Sequence, residues 1–527
     1  MTPGQRWTLL ATIIGSGAVF LDGTIVNVAL PRIGADLPAT LVGVLEGQTY
    51  VVSGYLATLA ALLILAGALS DRFGRRKIYS LGLAGFAITS GLCGIAPNFE
   101  FLIVLRLLQG AAGALMVPGA LSIITQTFDE TERGRAFGVW TAATSGLVLL
   151  GPVGGGLLVD TIGWRFAFLI NVPVLAIALW ITRRHVAESR DADSGTRFDW
   201  LGSAVAAIAV GGLSFGIIRG GEQAWGDPIA WLSIAAGAIA LVAFPVLMAN
   251  RRDPLVPLDL FRSRVLSTIN LATFFIYGGL YVTITYQVIV LQGVIGYSAL
   301  AAGAAGLPMG MSLLFLSTRI GSVAGRIGAR PFMTAGPLVM AAGLLWFTRL
   351  PVDSDPWLAA AQDPGTLVPP VDFVIDVMPA MLLFGIGISL IVAPLTNALM
   401  SSIPGRFSGL GSAINNSISR VGQPLLGALI FVAVSATFYG QLGALVPGLA
   451  LDDPAVRVAF PPLNAPRPGA AADVVAAADL ASIAAFRVAL YVAAGLLVIG
   501  SAISWIGLRA GTPAPTPGPQ EAPAAGG

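Results

Sequence analysis

The chain has 527 residues, of which 56% are hydrophobic and only 11% are charged, and its formal net charge is +2. Soluble domains usually carry about 25% charged residues, so a water-soluble globular fold is excluded and lipid must solvate most of the chain. The small net charge, without a dense basic tract, excludes nucleic acid as a partner.

Apolar runs recur along almost the whole chain, and many reach the roughly 20 residues that a helix needs to cross a bilayer. Breaks that are charged or rich in Gly and Pro divide these runs into 14 predicted spanning helices. They lie near residues 8–30, 47–69, 78–96, 101–126, 136–159, 166–183, 199–219, 229–249, 266–293, 299–323, 331–350, 375–398, 407–436 and 484–508. Because the number is even, both termini are expected on one side.

Cationic residues indicate which side that is, since Lys and Arg are retained preferentially in the cytoplasm. About 19 of them fall in loops on the side of the N-terminus and about 6 in loops on the other side. The sequence therefore predicts a multi-pass protein of the cell (plasma) membrane with both termini cytoplasmic.

The first predicted helix carries an acid, Asp22, inside an apolar run. A charge at such a depth costs about 2.5–3.5 kcal/mol on insertion scales, so it is a candidate functional residue. The alternative is a structural carboxylate that is permanently paired to an arginine.

A basic loop motif, GALSDRFGRRK (67–77), follows the second predicted helix. Gly67 is expected to permit close helix packing and Gly74 a tight turn, while Asp71 can accept hydrogen bonds from arginines or from a helix N-terminus. The cations of this motif are Arg72, Arg75 and Arg76. The alternative is a loop that only sets topology.

In the fourth predicted helix, LRLLQGAAGA (105–114) places Arg106 and Gln109 on an apolar segment. At 1.5 Å per residue, Asp22 lies about 12 Å and Arg106 about 8 Å from the outer helix ends, so the two can meet. The proton affinity of a carboxylate beside a guanidinium depends strongly on access of water and substrate. We therefore predict proton coupling at Asp22 and Arg106; the alternative for Arg106 is a packing partner.

The fifth predicted helix contains SGLVLLGPVGGG (145–156). Gly151, Pro152 and Gly155 remove side chains and a backbone donor, so that the helix can bend and another can approach closely. The alternative is that these glycines only form a helix-packing face and have no specific functional role.

Later helices contribute polar groups but no acid in their cores, only Asp376 near an outer end. We predict a substrate cavity where the first and the later helices meet. With one buried acid, this cavity suits neutral, monocationic or anionic amphiphiles better than dications. Its lining is predicted to include Asn27, Gln109, Gln287, Asn415, Asn416 and Arg420.

The single histidine, His185, and the single cysteine, Cys93, cannot build a metal site or a Ser/His/Asp triad. No metal, cofactor or enzymatic activity is expected.

An internal repeat relates the two ends of the chain. GSVAGRIGAR, which starts at Gly321, matches the motif starting at Gly67 at an offset of 254 residues, and residues 405–427 match 134–156 at an offset of 271. Both offsets join segments that are eight predicted helices apart. The chain is therefore predicted to be an all-α polytopic membrane protein with two pseudo-symmetric six-helix bundles plus two inserted transmembrane helices.

The domain boundaries follow from this repeat. They are 1–185 for the N-terminal six-helix bundle, 186–264 for the cytoplasmic linkers and the two inserted helices, 265–510 for the C-terminal six-helix bundle with a long outer loop at 437–483, and 511–527 for a disordered cytoplasmic tail. In such paired bundles the solute site lies near the midplane, where the halves meet.

Taken in order, these motifs resemble the major facilitator superfamily, and specifically its 14-helix drug:proton antiporter branch. The resemblance also rests on LDGTIVNVALP (21–31) and WRFAFLINVP (164–173). It implies that the loop motif is a cytoplasmic gate and that the fifth helix carries an antiporter motif. It further implies a monomer in the lipid bilayer that exports small molecules in exchange for protons. The alternatives are an exporter of an endogenous lipid or secondary metabolite, and a membrane ligand sensor that does not transport.

Overall fold

The computed structural model describes residues 1–38, 40–190, 199–223, 225–251, 254–402, 408–451 and 453–508. The predicted tail at 511–527 lies outside the described residues. Within them the chain is helical, with one isolated β-bridge between Ala360 and Asp363. This agrees with the all-α class expected from the apolar runs.

Seventeen α-helical segments follow one another along the described part of the chain. They are α1 (Pro3–Asp36), α2 (Val44–Phe73), α3 (Arg75–Gly94), α4 (Phe99–Thr127), α5 (Glu130–Thr161), α6 (Phe166–Leu169), α7 (Asn171–His185), α8 (Trp200–Glu222), α9 (Pro228–Asn250), α10 (Arg264–Gly293), α11 (Ala299–Ala304), α12 (Leu307–Ile327), α13 (Arg330–Phe347), α14 (Met378–Ser401), α15 (Ser408–Leu445), α16 (Pro454–Ala459) and α17 (Ala472–Gly507). Short 3₁₀ turns lie at Leu258–Arg262 and Pro364–Leu367, and a π turn at Phe373–Val377 leads into α14.

Twelve stretches within the described residues are long and apolar enough to cross a membrane, so the chain is a multi-pass membrane protein. Of the 14 predicted spans, those corresponding to α3 and α13 are not among the twelve. These helices have 20 and 18 residues, and they pack against α4 and α7 and against α14 and α17, respectively. The predicted count of 14 is therefore not confirmed.

The bounds of the long outer loop predicted at 437–483 are wrong. Helix α15 continues to Leu445 and α17 already begins at Ala472, so only residues 446–471 connect them, and α16 lies within this connection. Phe438 and Leu442 are fully buried, and Ala481 of α17 is buried as well. Apolar packing together with the high helix propensity of alanine extends both helices.

The sequence repeat has a structural counterpart at both offsets. Gly74 ends α2 with φ 108°, and Gly328, 254 residues later, ends α12 with φ 88°; glycine adopts this left-handed region at little cost. Gly151 of α5 lies against α1, and Gly422 of α15, 271 residues later, lies against α10. Glycines related by the repeat thus share a backbone conformation at one offset and a helix-packing position at the other. One member of each pair lies in helices α1–α7, the first group, and the other in helices α10–α17, the second group.

The inserted helices α8 and α9 pack on each other, and α8 also packs on α2 and α15. At this contact the Ser214 hydroxyl donates to the Pro424 carbonyl over 2.9 Å. The insert therefore lies beside the place where the two groups meet along α2 and α15.

Several contacts join the two groups at the end of the bundle opposite the N-terminus, here called the distal end. Asp160 of α5 accepts from the backbone of Ala299 (3.2 Å) and Leu300 (2.8 Å) at the start of α11. Gln48 and Asn464 exchange two amide hydrogen bonds of 2.8 and 3.0 Å. These contacts close the distal end.

Close backbone packing between α5 and α11 supports this closure. A Cβ atom on Gly303 would lie 2.1 Å from the Pro152 carbonyl oxygen, and one on Gly156 would lie 2.4 Å from the Ala299 carbonyl oxygen. Neither backbone oxygen can move without displacing its helix, so both positions require glycine in this conformation.

We predict that Gly303→Ala opens the distal end. Overpacking costs about 1–3 kcal/mol, so the open population should rise by about tenfold. Spin labels at the exposed positions Ile162 and Leu358, in a Cys93→Ser background, would report the distance between the groups. Gly154→Ala on α5 is the matched control, because a Cβ there meets nothing within 4 Å. Identical distance distributions in both variants would contradict the prediction.

Candidate functional site

The structure brings Asp22 of α1 and Arg106 of α4 into contact. Arg106 Nη1 donates to Asp22 Oδ2 over 2.6 Å, and the side chains of Arg106 and Asp22 are 1% and 0% exposed. Gln109 joins them: its Oε1 accepts from Arg106 Nη1 over 2.7 Å, and its Nε2 donates to Asp22 Oδ1 over 3.1 Å. The depths of the two residues along their helices, counted from the sequence, are compatible with this contact.

The local sequence explains how α4 presents these two side chains. Arg106 and Gln109 are three residues apart and therefore share a helix face. Asn98 caps the N-terminus of α4 by accepting from the backbone of Phe101 over 2.9 Å. A Cβ on Gly110 would lie 2.3 Å from the Tyr55 carbonyl oxygen, so this glycine allows α2 to approach α4 closely.

The approach of α2 completes the surroundings of the Arg106 guanidinium. Its Nε donates to the Val51 carbonyl over 3.0 Å, and its Cζ lies 4.1 Å from the centre of the Tyr55 ring. A ring face attracts a cation most strongly where water is excluded. Carboxylate, amide, carbonyl and ring together offset the cost of burying this cation.

Two functional candidates were missed by sequence reasoning. Asn171 Nδ2 donates to Asp22 Oδ1 over 3.3 Å and contacts Ser90 Oγ at 3.1 Å, and Ser90 in turn donates to the Phe168 carbonyl over 2.8 Å. Asn171 lies within WRFAFLINVP, a motif to which no individual role was assigned. Asp22, Arg106, Gln109 and Asn171 are here called the acid network.

The acid network can exist in two charge states. The ionised carboxylate of Asp22 is satisfied by three neighbouring side chains, and a proton on it would remove one negative charge beside Arg106. Arg106 would then keep its contacts to Gln109, Val51 and Tyr55.

The predicted cavity residues do not form one continuous lining. Asn27 accepts from Thr285 across the two groups over 3.1 Å, whereas Asn415 donates to Asn270 (3.0 Å) and Thr273 (3.1 Å) inside the second group. Asn27 thus lies at the junction of the groups, and Asn415 makes internal contacts.

The remaining cavity candidates differ in their surroundings. Gln287 is buried, whereas Asn416 is exposed and donates to the Ser412 carbonyl over 3.1 Å. The guanidinium of Arg420 lies 6.0 Å from the Phe20 ring of α1, and its buried Nε has no hydrogen-bond partner among the described residues. Arg420 therefore faces the first group, and its Nε–H is not used in a hydrogen bond among the described residues.

The loop motif docks within the first group. The Arg76 backbone donates to Glu188 Oε1 over 3.1 Å, the Arg76 side chain is 3.8 Å from that carboxylate, and the Arg75 backbone donates to Ser189 over 3.0 Å. Arg72 stacks 5.6 Å from the Phe73 ring, and the side chain of Asp71 lies outside the described residues. Sequence reasoning missed Glu188.

The glycines of the motifs have different roles. The expectation that Gly67 permits close packing is wrong, because a Cβ there would meet its nearest neighbour, Pro118, at an ordinary 3.9 Å. Close approach at the fifth predicted helix is confirmed: a Cβ on Gly151 would lie 2.1 Å from Thr24 Oγ1, and one on Gly155 would lie 3.0 Å from the Ile25 Cα.

We predict that Arg106→Gln destabilises the protein by about 3–5 kcal/mol, because it leaves the buried charge of Asp22 without its cation. Adding Asp22→Asn should restore most of this loss, since no unpaired charge then remains. Thermal unfolding in detergent would compare the single and double variants. A double variant no more stable than Arg106→Gln would show that the pair is not the cause.

We also predict that Gly74→Ala weakens the docking of the loop motif. An L residue pays about 1–2 kcal/mol in the left-handed region, and the new Cβ would lie 2.6 Å from Glu188 Oε1. Proteolysis at residues 74–77, where α2 ends and α3 begins, should therefore accelerate. Gly67→Ala serves as the control within the same motif, and equal cleavage rates for both variants would refute the prediction.

The sequence of this chain is similar to those of curated transporters. It is 31% identical over 456 residues to the multidrug resistance protein Stp of Mycobacterium tuberculosis, which covers 85% of this chain and 80% of that protein. It is 33% identical over 438 residues to the tetracenomycin C resistance and export protein of Streptomyces glaucescens, which covers 82% of this chain and 77% of that protein.

The fold is also found in solved structures. A bacterial homologue of the human lysosomal transporter Spinster, solved in an inward-facing and unoccupied conformation, matches with a TM-score of 0.62 at 17% identity, over 96% of this chain and 97% of that one. The family model of the Major Facilitator Superfamily matches residues 12–427. The chain therefore belongs to the Major Facilitator Superfamily.

Proposed function

We propose that this protein is a proton-coupled secondary active transporter of the multidrug efflux type, which exports small amphipathic organic compounds by alternating access. The names of the two relatives, one a multidrug resistance protein and the other a resistance and export protein, support the substrate class. The acid network supports proton coupling, because it is a buried site where a single proton changes the charge.

The proposed cycle uses two halves, residues 1–185 and 265–510, that tilt about the junction where they meet. In one conformation water reaches Asp22 from outside and supplies a proton; in the other the proton leaves to the cytoplasm while substrate binds. One charge crossing 100 mV supplies about 2.3 kcal/mol, and a tenfold proton gradient adds about 1.4 kcal/mol. Together they would sustain a several-hundredfold accumulation of a neutral solute.

The orientation belongs to the same proposal. The excess of cationic residues in loops on the side of the N-terminus supports a plasma-membrane protein with both termini cytoplasmic. The distal end is then the outer end, and its closure corresponds to an inward-facing conformation. We include α3 and α13 as spans, which gives 14 helices, because both pack lengthwise against apolar helices of their own group.

The site roles follow from position. Arg420 and Gln287, together with the amide side chains named above, are proposed to contact substrate where the halves meet. The motif containing Gly74 and Arg76 is proposed to act at the cytoplasmic gate, and Gly151, Pro152 and Gly155 to hold α1 and α11 against α5. Close packing at Gly151, Gly155 and the Pro152 carbonyl supports the last role.

We predict that Asp22→Asn abolishes pH-gradient-driven dye efflux from proteoliposomes, because the amide cannot exchange a proton, while the protein stays folded in the membrane. Asp363→Asn, in an exposed loop, is the control and should transport normally. Unaltered efflux in Asp22→Asn would remove this acid from the mechanism. Ligand binding without any gradient-dependent transport would instead support a sensor.

A further inference from the structure

A pair of buried acids outside the acid network lies at the distal end, where α2 begins and α8 ends. The side chains of Glu46 and Glu222 are almost fully buried, with residue exposures of 0% and 7%. Both carboxylates lie against Gly43: its backbone donates to Glu46 Oε2 over 2.9 Å, and a Cβ on it would lie 2.2 Å from Glu222 Oε1. The missing side chain of Gly43 thus makes room for Glu222 beside Glu46.

One oxygen of each acid has no hydrogen-bond donor. Glu46 Oε1 and Glu222 Oε2 are buried without a hydrogen-bond partner among the described residues. The Tyr50 side chain faces Glu46, but its hydroxyl donates to the Phe215 carbonyl over 3.0 Å. An unsatisfied buried carboxylate oxygen is costly, so a proton held by this pair would reduce that cost.

The neighbouring cations are already engaged. Arg219 donates to Asp227 and to the Leu41 carbonyl (3.1 Å), and its Nη1 remains 3.9 Å from Glu46 Oε1. Arg457 of α16 donates to the backbone carbonyl of Glu222 over 2.6 Å, not to its carboxylate.

Two further groups face the cluster. Tyr439 of α15 stacks 4.3 Å from the Arg457 guanidinium. Glu100 of α4 lies on the other side of the connection between α1 and α2, where it accepts from the Leu41 backbone over 2.8 Å and from Thr40 over 2.9 Å. Neither group gives a hydrogen bond to the free oxygens.

The charges of this cluster do not balance. Glu46, Glu222 and Asp227 are three acids, whereas Arg219 and Arg457 are two bases, so full ionisation would leave one buried negative charge in excess. Two carboxylates at a shared site do not both ionise readily. A single added positive charge would neutralise the cluster and supply a donor for a free oxygen.

We propose that Glu46 and Glu222 form a second proton-binding site, in which this buried pair of acids holds one proton. The proton comes from water as hydronium and returns to water, so no other reactant is needed. Tyr50 and Arg219, which lie beside the pair, also line a mostly apolar cavity of about 640 Å³ between α2, α4 and α8. The site gives the inserted helix α8 a chemical role.

In the proposed orientation, Glu46 and Glu222 lie at the outer end of the protein. Glu46 belongs to the first group, Glu222 to the insert, and Arg457 to the second group, so the proton would bind where three parts of the chain meet. Proton binding here does not depend on Asp22 or on transport. The proposal rests on the proposed function only for the side of the membrane that it faces.

Infrared difference spectroscopy on the full-length protein in lipid nanodiscs tests the proposal. In an Asp22→Asn background we expect a protonated-carboxyl band from this pair that disappears as the pH is raised. Glu46→Gln and Glu222→Gln should each lose this band, and Asp363→Asn should keep it. A band retained in both glutamine variants, or a signal that requires sodium, would overturn the proposal.

A second variant keeps the test informative should a glutamine variant fail to fold. Arg457→Gln removes a positive charge beside Glu222, so the protonated form is favoured and the midpoint of the band should move to higher pH. An unchanged or lowered midpoint would count against the shared proton. Because the assay needs no transport, unaltered efflux in Asp22→Asn would refute the proposed coupling and leave this result intact.

Discussion

Everything near the centre of the first group depends on keeping one carboxylate satisfied where water is excluded. Asp22 accepts from Arg106, Gln109 and Asn171, so α1 is tied to α4 and α7. Arg106 extends the connection to α2 through Val51 and Tyr55. Four helices are therefore positioned by one buried charge, and none of them can shift far without leaving a charge or a polar atom unpaired.

Glycine makes this arrangement sterically possible, and it does so at particular places. Gly110 admits α2 beside Arg106, and Gly151 and Gly155 admit α1 beside α5. The same helix α5 then meets α11 through Gly156 and Gly303. Polar groups provide the specificity of the helix contacts, and absent side chains provide their closeness, as is common where lipid gives no hydrophobic drive for association.

Much of this fold could be predicted from the sequence, since spanning a bilayer requires apolar runs of about 20 residues and burying a charge there costs free energy. Asp22 and Arg106 stand out for that reason, and their similar depths along two helices show that they can meet. The glycine turns at Gly74 and Gly328 could likewise be paired from the repeat alone. Features that recur at a fixed spacing, and charges whose burial costs free energy, can be recognised in the sequence.

Other parts of the site left no such trace. Asn171 and Ser90 are common polar residues whose role depends on helix rotation, which hydropathy does not report. Glu188 follows the end of α7 and was indistinguishable from an ordinary loop acid. Glu46 and Glu222 lie at helix ends, where a charge normally meets water, and only the tertiary packing shows that both are buried.

The same limit explains the errors in the outer loop and at Gly67. Residues 437–483 are rich in alanine as well as in proline and glycine, and the apolar positions that extend α15 and α17 count as helical only once their partners are known. Gly67 matched a motif, but its surroundings decide whether the missing side chain matters, and they leave space.

Helix α1 also carries Asn27, five residues beyond Asp22, and this amide bonds Thr285 of the second group. At 1.5 Å per residue the two positions are about 7.5 Å apart along one rigid rod. About one and a half turns of helix thus separate the charge from this contact between the two groups. Any rotation of α1 caused by a change at Asp22 would reach the partner half directly, without a relay through other side chains.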